Sequence, residues 1–245
     1  MMRDIESVRA RHSGEPALTT MATTPDKPKK RIFVVDDHPL VREMLSDLVN
    51  HQPDLVVCGE AESAPQALER IVACKPDLAI IDITLRDSSG LRLIKDLSAI
   101  HPKLAILVFS MHDEFLYAER AVRSGARGYV MKQAATRKVI EGVHRVLEGK
   151  IYISKEFADA KILQLAEADS GKKQTPVELL GDRELEIFEL LGQGQSSVAI
   201  ARILGISVRT VHYYYRRMKE QLKLESGQEL IREAMRWHAT QRGAN

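Results

Sequence analysis

Between Arg31 and about residue 149 the chain alternates short β-branched runs with amphipathic stretches five times over, and this alternation restricts what it can fold into. The runs RIFVV, LVVCG, LAIID, LAILVF and RGYVM are short, apolar throughout and rich in branched residues, so they read as buried strands. Between and after them, residues 41–49, 65–73, 91–97, 114–122 and 136–147 carry apolar side chains at helical spacing. Strands with no polar face need cover on both sides. Short connections and right-handed crossovers then give a parallel sheet with helices on each face. The expected fold is α/β, a five-stranded parallel (βα)5 domain over residues 31–149.

The ends of these strands carry the chemistry. Asp36 and Asp37 close the first run, Asp82 the third, and Lys132 the fifth. A parallel sheet delivers all of them to its carboxyl edge, where open α/β sheets bind ligands. Carboxylates gathered in one pocket repel and raise one another's pKa, so they call for a counter-charge. A hard, oxygen-seeking cation such as Mg²⁺ supplies it and also organises phosphoryl oxygens. The pattern points to transfer of a phosphoryl group onto a carboxylate.

At 245 residues the chain has room for two domains, and 44% hydrophobic with 29% charged residues is the balance of a soluble globular protein. No apolar run is long enough to span a membrane, and MMRDIESVRARHSGEP has charges where a signal peptide needs an apolar segment; a cytoplasmic location is expected, with no membrane partner. Residues 1–30 mix small residues, proline and lysine and are expected to be a disordered tail, within which Met21 offers an alternative translation start to Met1. Cys58 and Cys74 lack ligand-like spacing and are expected as free, buried thiols. Residues 150–178 read as a linker that begins with a helix, ADSGKKQTP being its loose part and leaving the two halves tethered rather than fused.

The second half is all helix. DRELEIFELLGQG reads as a helix capped at Asp182 and stopped by Gly192 or Gly194; SSVAIARILGIS follows with Val198, Ala201 and Leu204 turned inward and Gly205 as the turn; SVRTVHYYYRRMKEQLKL starts at a Ser207 cap. A helix, a glycine turn and a capped basic helix make a helix-turn-helix, assigned to residues 179–224. Residues 225–245 form a C-terminal extension with Leu230, Ile231, Ala234, Met235 and His238 on or near an apolar stripe, which suits a packed cap, a dimerisation element or a frayed tail.

Residues 31–149 resemble the receiver domain of two-component response regulators. The resemblance rests on Asp36 and Asp37, Asp82, the hydroxyl of Ser110 in LVFSMHD, and Lys132 preceded by the aromatic Tyr129. It implies that Asp82 accepts a phosphoryl group from a partner histidine kinase or small acyl phosphate. It also implies that Asp36, Asp37, Asp82 and the Thr84 carbonyl hold Mg²⁺, that Lys132 and Ser110 bind phosphoryl oxygens, and that Ser110 and Tyr129 form the switch. Thr84 and His112 would flank the phosphoryl group. Arg86 stands where the family commonly has proline, while Gly90 is present.

The following helices are similar to the DNA-binding domain of the NarL/LuxR type, on Arg183 and Glu184, Ile200 and Ala201, Leu204 to Ser207, and Thr210 with Val211. By helical position Arg209, His212, Tyr213 and Arg216 are expected to face duplex DNA, with Thr210 and Lys219 at its backbone and Val211, Tyr214 and Met218 inward. Histidine at His212 and tyrosine at Tyr214 depart from the commoner lysine and histidine. The expected protein is a phosphorylation-switched transcription regulator acting as a homodimer, whose only chemistry is on itself. The alternatives are a DNA-binding regulator whose receiver serves only as a dimerisation module, and a regulator that works through protein contacts.

Overall fold

The branched runs form a sheet in which alternate residues serve two separate cores. The computed structural model describes residues 28–86, 88–167 and 176–242; residues 1–27 of the expected tail, Met21 among them, and most of ADSGKKQTP lie outside the described residues, and Lys30, expected in the tail, opens the first strand. In chain order the first domain consists of β1 (Lys30–Val35), α1 (Pro39–Asn50), β2 (Leu55–Ala61), α2 (Ala64–Cys74), β3 (Leu78–Ile81), β4 (Thr84–Leu85), β5 (Ser88–Ser89), α3 (Gly90–Ile100), β6 (Ala105–Ser110), α4 (Glu114–Ser124), β7 (Gly128–Met131) and α5 (Thr136–Leu147). The main sheet is parallel in the order β2-β1-β3-β6-β7. Ile32, Val34, Leu78, Ile80 and Leu107 point to one face, against Leu45 and Val49 of α1 and Val139 and Val143 of α5. Phe33, Val35, Ala79, Ile81, Ile106 and Val108 point to the other, against α2, α3 and α4. Side chains of a strand alternate faces, so burial of both faces explains why these runs are apolar without alternation.

One element escaped the sequence pattern. β4 and β5 form a two-stranded antiparallel hairpin just past Asp82, pairing Thr84 with Ser89 and Leu85 with Ser88. The hairpin folds back so closely that the Gly90 N–H reaches the Ile83 carbonyl at 2.6 Å. A Cβ on Gly90 would lie 1.9 Å from the Asp82 carbonyl oxygen, so only glycine fits.

The thiols are free but only partly buried, a correction to the expectation of full burial. The register shifts between Ile32 and Phe33, leaving Cys58 unpaired between Val57 and Gly59, and the Cys74 thiol donates to the Cys58 carbonyl at the open side of edge strand β2.

The connecting segment contains α6 (Lys155–Glu167). Phe157 is buried, Lys161 Nζ donates to Glu119 of α4, and the Ser154 N–H donates to Glu114. The Lys161 hydrogen bond is the main cause that holds the Glu119 carboxyl below the usual glutamate range. A depressed carboxylate stabilises the contact above its ordinary titration range, and that stabilisation is lost as pH falls through the lowered value. Protection factors of the 155–167 amides, corrected for intrinsic exchange, should therefore fall on acidification below the glutamate range; constancy there would disprove the coupling.

The second domain comprises a 3₁₀ turn (Pro176–Leu179), α7 (Asp182–Gly192), α8 (Ser197–Ile203), α9 (Val208–Leu222) and α10 (Gly227–Arg242). Leu185, Phe188 and Leu191 of α7 pack with Ile200, Leu204, Val211, Met218, Leu230 and Ala234 into a common core. The turn between α8 and α9 passes through Gly205 at φ +62°, and Ser207 Oγ accepts from the Thr210 N–H at 3.0 Å to cap α9. Two local expectations are corrected. Asp182 is the first residue of α7 and not its cap; Gly181 precedes the helix and its N–H is taken by the Glu184 carboxylate at 2.8 Å. Val198 faces outward at 56% exposure, and Ile200 takes the inward position beside Ala201 and Leu204.

The two domains are in contact, which corrects the tethered reading. Arg120 of α4 bonds the Leu180 carbonyl and pairs with Asp182 at 3.0 Å, while Ser89 Oγ donates to Glu186 at 3.3 Å.

Candidate functional site

The carboxyl ends of β1, β3 and β7 bring the acidic residues and the lysine together, as their positions in the sequence suggest. Asp36 and Asp82 are buried, 1% and 5% exposed, and the Lys132 ammonium lies 2.6 Å from Asp36 and 2.7 Å from Asp82. Burial is the first cause that raises the Asp36 carboxyl above its ordinary range, and repulsion by Asp82 adds to it. Burial alone would depress the Lys132 ammonium, but the charges of Asp82 and Asp36 outweigh it and lift it.

Asp37 completes an acidic cluster with a neighbour that sequence reasoning passed over. The ligand atoms of Asp36, Asp37 and His38 lie within 4.8 Å of one another. His38 Nδ1 sits 2.8 Å from Asp37, and the His38 backbone N–H donates to Asp36 Oδ1 at 2.9 Å. Asp36 Oδ2 and Asp37 Oδ1 are buried without an aligned hydrogen-bond donor, although each has a cationic or imidazole nitrogen nearby. Buried carboxylate oxygens left in this state suit an oxygen-seeking cation.

His112 occupies the centre of the opposite wall. Its Nε2 lies 2.7 Å from Thr84 Oγ1, its N–H is 3.4 Å from Ser110 Oγ, and its carbonyl accepts from the Tyr129 hydroxyl at 2.9 Å. Its Nδ1 faces Glu189 of α7 at 2.9 Å, and the Tyr117 hydroxyl donates to the same Glu189 oxygen at 3.1 Å. Burial pulls the imidazole down, yet Glu189 prevails and raises it; the Glu189 carboxyl is lowered in turn despite its own burial. Ser110 is fully buried and Tyr129 is 2% exposed, so both line this wall. Lys132 is tied to the same place by its N–H to the Ser110 carbonyl at 2.7 Å.

A separate surface lies on α9. Arg209, His212, Tyr213 and Arg216 are exposed along one side, Thr210 and Lys219 are half-buried at its margin, and Val211 and Met218 are buried on the other. Tyr214 is half-buried against the core. Arg217 pairs with Glu184, which is 2% exposed and 3.1 Å away, and its guanidinium lies 5.9 Å from the Tyr213 ring centroid. The side presented is thus basic and aromatic.

Comparisons with known proteins find relatives of both domains. Residues 32–144 match the response regulator receiver domain, and residues 178–234 match the luxR family of bacterial regulatory proteins. The chain is 30% identical over 210 residues to the oxygen regulatory protein NreC of Staphylococcus haemolyticus (strain JCSC1435), covering 84% of this chain and 97% of that protein. A crystal structure of a LuxR-family two-component response regulator from Aurantimonas sp. SI85-9A1 is 30% identical with a TM-score of 0.52, over 58% of this chain and 99% of that one. RcsB of Salmonella typhimurium, 20% identical with a TM-score of 0.59 over 85% of this chain and 98% of that one, shares the fold.

Proposed function

From the premise that the chain belongs to the LuxR-type two-component response regulators, whose receiver phosphorylation controls a DNA-binding helix-turn-helix, we propose that Asp82 is the residue phosphorylated. The observation that carries this reading is the Lys132 ammonium held between Asp82 and Asp36 at 2.7 and 2.6 Å. Asp82 attacks phosphorus with one carboxylate oxygen as the bond to the donor breaks in line, an imidazole nitrogen leaving from a phosphohistidine and a carboxylate oxygen from an acyl phosphate. Lys132 then has a phosphoryl oxygen to bind in place of one carboxylate, and Ser110 donates its hydroxyl to another. Asp36, Asp37, Asp82 and the Thr84 carbonyl would hold Mg²⁺, with His38 at the edge of the set. Bound there, the ion would neutralise the acidic pocket and the developing phosphoryl charge. The chemistry is confined to gain and loss of this group on the protein itself.

Ser110 and Tyr129 serve as the switch, since both touch His112 on the wall of the pocket. The phosphodonor is a histidine kinase, and the setting is the cytoplasm. Phosphorylation favours a homodimer, whose two copies of α9 meet two half-sites of duplex DNA. Arg209, His212, Tyr213 and Arg216 reach into the groove, while Thr210 and Lys219 contact phosphates. The domain limits proposed are 31–149 for the receiver and 179–224 for the core of the DNA-binding unit, joined by 150–178 and extended by 225–245. Because α10 packs on α7, the extension acts as a cap on that core; Trp237 packs at a tilt against Phe188, with ring centroids 5.5 Å apart.

Binding to an operator selected from a random duplex pool tests the α9 assignment. Arg216→Ala should cost roughly 1–3 kcal/mol and relax sequence preference, whereas Lys219→Ala should weaken all sequences alike and lower the salt slope by about 1. Equal binding by wild type and both variants at every salt concentration would move the recognition surface elsewhere.

A further inference from the structure

We propose that Glu189, although it belongs to the DNA-binding domain, is a positioning residue for phosphoryl binding at Asp82 and acts through the His112 imidazole. This rests on the reading of Asp82 as the phosphoacceptor.

His112 is the only described residue that bonds Thr84 and Ser110 on the pocket side and an α7 side chain on the other. Both ring nitrogens are committed, one to Thr84 Oγ1 at 2.7 Å and one to Glu189 at 2.9 Å. The ring is further fixed by Tyr117, whose centroid is 4.4 Å away and whose hydroxyl shares the Glu189 oxygen. Thr84 leads back to the acceptor, because its N–H faces Asp82 Oδ1 at 3.4 Å. A chain of contacts therefore runs from Asp82 through Thr84 and His112 to Glu189. It passes through two side chains, and only that of His112 touches α7.

Charge gives the direction of coupling. Docked α7 presents Glu189 and the buried Glu186 towards this wall, with Ser89 Oγ donating to Glu186. A phosphoryl group on Asp82 adds negative charge and acceptor oxygens beside Thr84, where they compete for the contact between Thr84 Oγ1 and His112 Nε2 and draw the ring away from Glu189 on its Nδ1 side. The like charges also repel across the interface. Docking and phosphoryl binding therefore oppose each other, and a coupling between two binding events is reciprocal. Glu189 holds His112 against α7; a group on Asp82 draws the β6–α4 corner away from α7.

The test is an equilibrium double-mutant cycle on the full chain, using beryllofluoride with Mg²⁺ as the phosphoryl mimic and calorimetry as the readout. Glu189→Ala should tighten beryllofluoride binding on the order of tenfold, within the usual span of coupling between sites. In the His112→Ala background the same substitution should change affinity by less than about twofold, since the connecting side chain is gone. Glu189→Gln, which keeps the shape and drops the charge, should shift affinity in the same direction and guards against misfolding of the alanine variant. Unchanged affinity in both Glu189 variants would overturn the proposal, as would an equal gain with and without His112, which would assign the effect to domain release alone. Failure of wild type to bind beryllofluoride would overturn the Asp82 reading together with this one.

Discussion

Asp82→Asn takes up no phosphoryl group from acetyl phosphate and Mg²⁺, while wild type does, and the variant unfolds at the same temperature as wild type or higher. The carboxamide is not a nucleophile towards phosphorus, so phosphorylation falls to background and not by a graded factor. Stability follows from the charges. Asp82 is one of the two carboxylates that share the Lys132 ammonium, and its charge helps raise the Asp36 carboxyl. Removing it relieves that repulsion and leaves Lys132 paired with Asp36, so no buried charge is stranded. Phosphate-affinity electrophoresis and thermal unfolding of the same preparations separate chemistry from folding. Retained phosphorylation in the variant would place the acceptor elsewhere.

Gly90→Ala should do the opposite, harming both fold and chemistry. The added methyl would stand 1.9 Å from the Asp82 carbonyl oxygen and 2.8 Å from the Ile83 Cα, both backbone atoms that cannot swing aside. The β4–β5 hairpin must shift, losing the 2.6 Å bond between the Gly90 N–H and the Ile83 carbonyl. Overpacking of this kind costs about 1–3 kcal/mol, with the upper end expected because no flexible side chain yields. Asp82 moves with its own carbonyl, and a displacement near 1 Å at a reacting group slows reaction on the order of 10²-fold. Denaturant unfolding and the initial rate of phosphorylation measure the two effects. A variant with wild-type values for both would show that the hairpin has more room than its packing indicates.

The receiver fold was legible because its signals are local. Each strand announces itself in four to six consecutive residues, as LAII and RIFVV do, and burial of both sheet faces keeps those runs free of polar residues. The pocket followed because Asp36, Asp37, Asp82 and Lys132 all sit where strands end. His38 was less visible, since a histidine before a helix-starting proline has many uses, and only the folded distances join it to the acidic pair.

The contact between domains left no such signal. Glu186 and Glu189 look like the solvent face of an amphipathic helix, and nothing in their spacing distinguishes a glutamate bound for a partner 77 positions away in sequence from one bound for water. Val198 shows the same limit on a smaller scale: in a helix of seven residues, a shift of two positions decides which apolar side chain is inside. The C-terminal helix was readable in part: Leu230 and Ala234 of the expected stripe are buried, whereas Ile231 and Met235 are exposed, and its partner, α7, left no signal.

The most direct test of a phosphorylation-controlled DNA-binding protein is the affinity of the full chain for its selected operator, measured with and without beryllofluoride and Mg²⁺, in wild type and Asp82→Ala. Tighter binding on addition of the mimic in wild type, and none in the variant, is the predicted result. Equal affinity in all four samples would contradict it, leaving a DNA-binding protein whose receiver does not control the operator.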